Sequence, residues 1–296
     1  MRTTFGAVHR TVQQDVERTY GRFAEAQRRV SSGKRLSKLS DGPGEAVAAA
    51  RLRTTERRLD VHLRAADDAQ MLLGSQDNAL QQASNLIQRA RDLVTQASNS
   101  VESPASREAH AAELENIRTQ LADLANTRVS GRAVFAGSTS EAVVTAGDGT
   151  VSFTGDNFTV QRRLAPGVDV DVTVSAEDAF GFASGDDVFA VLGRSIDAVR
   201  AGDAAASGAE IDNIKARHQD VLDSLGTVGA LQSQVDHVRE GTEQRRFDAV
   251  SQRSALEDVD FAESALELAQ AQTAYEAALA AAARLEMPSL MDFVGR

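Results

Sequence analysis

Apolar residues recur every third and fourth position through the first half of the chain. Counting in that rhythm from Leu52 gives Leu52, Thr55, Leu59, His62, Ala66, Ala69, Leu73, Gln76, Leu80, Ala83, Ile87, Ala90, Val94 and Ala97. Eleven of these fourteen positions are apolar and no proline interrupts them. A seam held over this many heptads predicts one long helix in a coiled-coil-like bundle. At ~1.5 Å per residue, a helix from about 45 to 98 spans roughly 80 Å, more than a compact domain needs, so the expected molecule is elongated. The start is marked by Ser40-Asp41-Gly42-Pro43-Gly44-Glu45, with a cap, a fixed φ and an acid near the N-terminus. The end falls in the polar run Ser98-Asn99-Ser100. Ser103 and Pro104 then open a second helix, with Leu114, Ile117, Leu121 and Leu124 on one face up to about Val129. Its short connection to the first predicts an antiparallel hairpin.

From Gly131 the period changes. Alternating, β-branched runs at 142–145, 150–154, 158–163 and 168–174 are separated by Gly147-Asp148-Gly149, Gly155-Asp156-Asn157 and Pro166-Gly167. That pattern predicts a small antiparallel meander. Helical spacing returns over about Val188–Arg200. It then runs through Ile211, Ile214, His218, Val221, Leu225, Val228, Leu231, Val235 and Val238 as a third long helix. A last helix, about 254–286, has Phe261, Ser264, Leu268, Ala271, Tyr275, Ala278, Ala282 and Leu285 at heptad spacing. The first thirty residues carry a matching stripe of Phe5, Val8, Val12, Thr19, Phe23, Ala26 and Val30.

The expected fold is mainly α, an elongated bundle of long coiled-coil-like helices with a small antiparallel β insertion. Five segments are expected. Residues 1–42 form an N-terminal assembly helix and 43–130 a long helical hairpin of a rod domain. The β-rich insertion occupies 131–185, the return helices of the rod 186–250, and a C-terminal assembly helix 251–296.

Composition sharpens this picture. Aromatics are only 4% of the 296 residues and there is no Trp, so the core has to bury its area through Ala and Leu on long helices. The absence of Cys excludes disulfides, thiolate metal sites and Cys nucleophiles. No run is apolar enough to span a bilayer, and Met1–Tyr20 does not read as a cleavable signal peptide. The net charge is −11, yet residues 1–64 carry 14 Lys and Arg against 7 Asp and Glu. The cations among them alternate with apolar helical positions, and no nucleic-acid module accompanies them, so they read as a charged helix face with neither nucleic acid nor membrane as partner.

Candidate chemistry is sparse. His9, His62, His110, His218 and His237 are scattered over different helices without metal-ligand spacing. Ser32-Gly33-Lys34 resembles the end of a phosphate-binding loop, but Arg28 stands where its first glycine belongs. The acidic pairs Asp67-Asp68, Asp169/Asp171 and Asp186-Asp187 lie outside any calcium-loop pattern and read as solvated surface. Gly147-x-Gly149 reads as a hairpin turn, and Tyr20 and Tyr275 as packing. The reading is no enzyme: no catalytic residue, cofactor-binding residue, metal ligand or cofactor is expected.

Two segments do carry a family likeness. Residues 31–53 (SSGKRLSKLSDGPGEAVAAARLR) resemble the N-terminal signature of the flagellin superfamily. Residues 250–293, including Leu256-Glu257-Asp258-Val259-Asp260 and the closing 288–293 (PSLMDF), are similar to its C-terminal counterpart. Within the superfamily, Pro43, the segment 126–137 (NTRVSGRAVFAG) and the closing residues are closer to the hook-associated protein 3 branch than to flagellins proper. Gly42 departs from that branch, where a second Asp is usual. The resemblance implies a structural part of the bacterial flagellum at the hook–filament junction, with flagellin itself, the filament subunit, as the alternative. It implies type III export without a cleaved signal peptide and an extracellular location. It also implies terminal helices that are disordered in the monomer. The partners it implies are hook-associated protein 1, flagellin, further copies of the chain in a ring, and an export chaperone at the C-terminal helix.

Overall fold

A computed structural model describes residues 2–36, 38–99, 103–137, 139, 144–147, 150–156 and 158–286. The expected turn residues Asp148, Gly149 and Asn157, the start of the strand run at Ala142, Ser100, and the closing segment 288–293 lie outside these. So do the side chains of Phe5, Val8 and Leu285. The chain divides into two compact units, a terminal unit of Met1–Arg57 with Arg246–Arg296 and a central unit of Arg58–Arg245.

The central unit is built on two long helices, α2 (Pro43–Asn99) and α6 (Ala204–Glu257), whose outer turns belong to the terminal unit. Pro43 is the first residue of α2, where its missing N–H costs nothing. The seam read from the sequence is buried from Leu59 through Ala66, Leu73, Leu80, Ile87 and Val94. Along α6, Ile214, Val221, Val228 and Val235 are buried at heptad spacing. The two run antiparallel, since Asp67 meets Arg239 at 3.0 Å, Gln70 meets Asp236, and Ser84 meets His218 at 2.8 Å.

Helix α3 (Pro104–Ala125) starts as the sequence predicts, with the Ser103 hydroxyl accepting from the Ser106 N–H and Pro104 in the first turn. Arg89 of α2 pairs with Glu113 of α3 at 2.8 Å. Both lie about three turns from the connection, which is the register of the expected antiparallel hairpin. Helix α3 ends four residues before the expected Val129, because Asn126 leaves the helix. Its side-chain amide bonds both the N–H (3.0 Å) and the carbonyl (2.8 Å) of Val144 instead.

The β region differs from expectation. In place of one meander, the described residues form three separate antiparallel hairpins: β1 (Arg128–Val129) with β2 (Arg132–Ala133), β3 (Val144–Gly147) with β4 (Thr150–Phe153), and β5 (Gln161–Ala165) with β6 (Val168–Asp171). The first closes through Ser130 and Gly131, both at positive φ (51° and 83°), the turn chemistry that suits a two-residue hairpin. Between hairpins the backbone dives into the core at Val134, Phe135 and Ala136, so the hairpins do not share a ladder. Single bonds such as Asp156 N–H to Ala136 (3.4 Å) connect the segments. Alternation along the chain registers exposure, not strand partners, and so could not separate the two arrangements.

The short helix α4 (Ala176–Phe180) and α5 (Val188–Ala201) complete the unit. Asp187 caps α5 by accepting from the Phe189 and Ala190 N–H groups, and Gly202 ends it at φ 71°. The scarce aromatics are concentrated here: Phe135, Phe180, Phe189, Phe182 and Phe153 touch in series with ring centroids 5.0–6.1 Å apart. The buried apolar residues of α2 and α6 are instead Ala, Leu, Ile and Val.

In the terminal unit, α1 (Arg2–Ser32) ends at Gly33 (φ 67°). A 3-10 turn, Leu39–Asp41, precedes α2. Helix α6 runs to Glu257 and the last helix, α7 (Phe261–Glu286), starts only at Phe261, later than the expected 254. Asp260 opens it by accepting from the Ala262 (2.9 Å) and Glu263 (3.3 Å) N–H groups. Neither Gly nor Pro marks this break; a tertiary contact fixes it.

Candidate functional site

The two chain ends form an antiparallel pair. Tyr275 of α7 lies against Tyr20 (5.5 Å between centroids) and stacks on Phe23 (5.9 Å) of α1, while Arg29 reaches Glu267 at 3.4 Å. On α7 the residues turned away from solvent are Ser264, Leu268, Ala271, Tyr275, Ala278 and Ala282, six of the eight read from the sequence. Phe261 departs from the stripe and is 66% exposed. On α1 they include Val12, Thr19, Phe23, Ala26 and Val30, together with Val16, which the sequence reading passed over. Small residues at these sites let the two backbones approach closely.

This seam is narrow. Phe261, Leu266, Leu279 and Phe247 of the terminal unit remain exposed. Ala269, Thr273, Ala274 and Ala277 line a shallow apolar groove along the outer face of α7. One apolar stripe of the pair is thus closed and another left open.

At the base of the pair the two family-like segments meet. Lys34 and Asp258 form a one-residue antiparallel bridge. Around it the Glu257 carbonyl accepts from the Arg35 N–H (2.6 Å), and the Val259 N–H donates to Gly33 (3.2 Å). The Glu257 side chain is 1% exposed and has three cations round it. Lys34 Nζ lies at 3.3 Å, Arg53 Nη2 at 2.6 Å and Arg253 Nη1 at 3.2 Å. Oε1 has no donor aligned on it, only the Arg53 guanidinium as an ion-pair partner. Lys34 also binds Asp258 (2.6 Å), Ser254 donates to Asp258 (2.5 Å), and Arg253 binds Glu56 (2.7 Å). Burial pushes the Glu257 carboxyl up, but Arg53, Lys34 and Arg253 together outweigh it and hold the group below its ordinary range. Lys34 and Ser254 likewise lower Asp258, and Asp258 foremost raises Lys34.

The other sequence candidates fall elsewhere. Gly33 caps α1 and Lys34 belongs to the charged node, so Ser32-Gly33-Lys34 forms no phosphate cradle. Asp67 pairs with Arg239, Asp169 with Arg163 and Asp186 with Arg194, while Asp171 accepts from Thr159 and Asp187 caps α5. Gly147 ends β3. The histidines sit on α1 (His9), α2 (His62), α3 (His110) and α6 (His218, His237), and no group of three potential metal ligands occurs among the described residues. His218 Nε2 faces the Ser84 hydroxyl and, at 3.4 Å, the Gln88 amide; burial first and Arg91 second push it down. No described helix is long and apolar enough to cross a membrane.

Two structural side chains escaped the sequence reading. Gln76, a polar residue in an apolar seam, is fully buried. Its amide donates to the Val134 (2.6 Å) and Val174 (2.9 Å) carbonyls and accepts from the Val174 N–H (3.0 Å). Its place in the seam was the available signal. Glu257 gave none beyond its place in the C-terminal segment.

Comparison with known proteins agrees with this architecture. The bacterial flagellin N-terminal helical region matches residues 7–140, and the bacterial flagellin C-terminal helical region matches residues 211–294. The chain belongs to the flagellin family. A putative flagellar hook-associated protein from Vibrio parahaemolyticus shares its fold at a TM-score of 0.69 and 18% identity, over 74% of this chain and 100% of that one. Flagellar hook-associated protein 3 from Legionella pneumophila aligns at 0.63 and 14% identity, over 70% and 98%. FlgL of Xanthomonas campestris aligns at 0.62 and 19% identity, over 70% and 99%. No curated protein matches the chain by sequence.

Proposed function

We propose that this chain is a structural subunit of the bacterial flagellum that joins hook to filament. One observation carries the reading: flagellin-family segments from opposite ends of the sequence meet in one unit and present a helix pair with a second apolar stripe left open. The fold shared with hook-associated proteins over 70% or more of the chain supports the junction over the filament.

In this reading the chain acts outside the cell as part of the flagellum, exported without a cleaved signal peptide, and catalyses nothing. Its neighbours are hook-associated protein 1 on one side and flagellin on the other, with further copies in a ring. A cytoplasmic export chaperone covers the C-terminal helix beforehand. Residues 1–42 and 251–296 are the assembly segments, 43–130 and 186–250 the rod, and 131–185 the β-rich insertion. Amphipathic helices of about thirty residues with an open stripe are marginal in water, so the pair they make in the isolated chain is weakly held and becomes fixed when neighbouring subunits cover it. The test is addition of purified protein to hook–filament seeds. Short caps that then accept flagellin support the junction; long filaments of this chain alone make it a filament subunit instead.

A further inference from the structure

The node around Glu257 has a consequence for how the ends behave. Its cations come from three separate segments: Lys34 from the stretch after α1, Arg53 from α2 and Arg253 from α6. Its backbone bonds join the residues that follow α1 to those that precede α7. A carboxylate 1% exposed is costly to leave under-paired, and the segment after α1 supplies Lys34, one of its three cations, so seating that segment completes the site. Once seated, that segment holds the start of α7 against the end of α1, and the two helices face each other at high effective concentration.

We propose that this node is a charge-locked latch which ties the two chain ends together at their base, so that α1 and α7 pair as one event and neither orders alone. The charged groups on the Glu257 carboxylate are Lys34 beyond α1, Arg53 from α2 and Arg253 from α6; around them Lys34 also binds Asp258, Arg253 binds Glu56, and Arg35 binds Glu45. Every partner belongs to this chain. The latch therefore stands whether the chain joins hook to filament or builds the filament, and only its coupling to ordering on assembly rests on that reading.

Hydrogen exchange on the full-length protein at neutral pH tests it. In the native chain the Arg35 and Val259 amides are expected to be protected. Glu257→Gln should speed their exchange at least tenfold and loosen α1 and α7 together, leaving α3 and α5 unchanged as proof that the chain still folds. Lys34→Met, which removes a partner already one-third exposed, should act on the same amides to a smaller extent. Where α1 and α7 already exchange freely in the dilute native chain, the two latch amides alone carry the result. Unprotected latch amides in the native chain, no change in Glu257→Gln, or α1 opening while α7 stays protected would each overturn the latch. None of these outcomes alters the seeding result that decides the functional reading.

Discussion

Two buried polar side chains organise this protein at the scale of single residues, and they do so differently. Gln76 is neutral and satisfies three backbone groups at once, two of them on Val174. Gln76→Ala would leave those groups unpaired in a dry environment, at a cost of about 2–4 kcal/mol. The checkable outcome is a lower urea midpoint with unchanged slope. Glu257 is charged, and its worth depends on pH. Its folded pKa and that of Asp258 lie below their ordinary values, so their contribution is complete above the normal carboxylate range and is lost as pH falls through the depressed values. Acid should therefore weaken the base of the α1–α7 pair, and Glu257→Gln should remove most of that dependence. The protein's two tyrosines, Tyr20 and Tyr275, both lie on this pair and there is no Trp, so the tyrosine band of the near-ultraviolet circular dichroism, beyond the phenylalanine bands, reads the pair alone. His218 works the same way in the central unit. Its pKa is lowered, so stability is full above its ordinary value and declines as pH falls through the folded one. His218→Gln should flatten the stability profile of the central unit between about pH 7 and pH 5.

At the scale of elements, α2 and α7 show two uses of the same heptad rhythm. In α2 large seam residues such as Leu73, Leu80 and Ile87 are wholly covered. In α7 the seam positions are mostly small and only partly covered, and a second stripe through Ala269, Thr273 and Ala277 stays open. Substitutions on the two stripes should separate. Ala271→Glu, on the closed stripe, places a charge against α1 and should abolish the tyrosine signal of the pair. Ala269→Glu, on the open groove, should leave that signal intact in the isolated chain yet block its addition to seeds. Equal effects of the two substitutions would mean that the outer stripe has no separate task. The rhythm of both helices was legible along the chain. The break at 258–260 was not, because a backbone bridge to Lys34, 224 positions away in sequence, sets it.

At the scale of the whole molecule, charge is divided unequally. The terminal unit carries 16 Lys and Arg against 15 Asp and Glu, and the central unit 16 against 28. Within the terminal unit the signs are sorted by segment. Residues 1–57 have 12 cations against 6 acids, and residues 246–296 have 4 against 9. The terminal unit is thus held partly by attraction between its two ends, whereas the central unit works against its own repulsion. Added salt screens both. Between about 20 mM and 500 mM salt the tyrosine signal of the terminal unit should melt at lower temperature, and exchange from α3 and α5 should slow. A common shift of both probes in one direction would contradict this division.

The amino-acid sequence by itself determined the periodicities: the long seam from Leu59 to Val94, the cap at Ser103, the complementary stripes of the two ends, and the family-like segments that flank the chain. These are local properties, because helix spacing and capping need only neighbours within a few residues. Only the tertiary structure decided which segments meet. It split the expected meander into three hairpins, ended α6 at Glu257, and buried that carboxylate among Lys34, Arg53 and Arg253. Pairing between distant segments depends on shape and charge brought together by the fold, which the order of residues does not display.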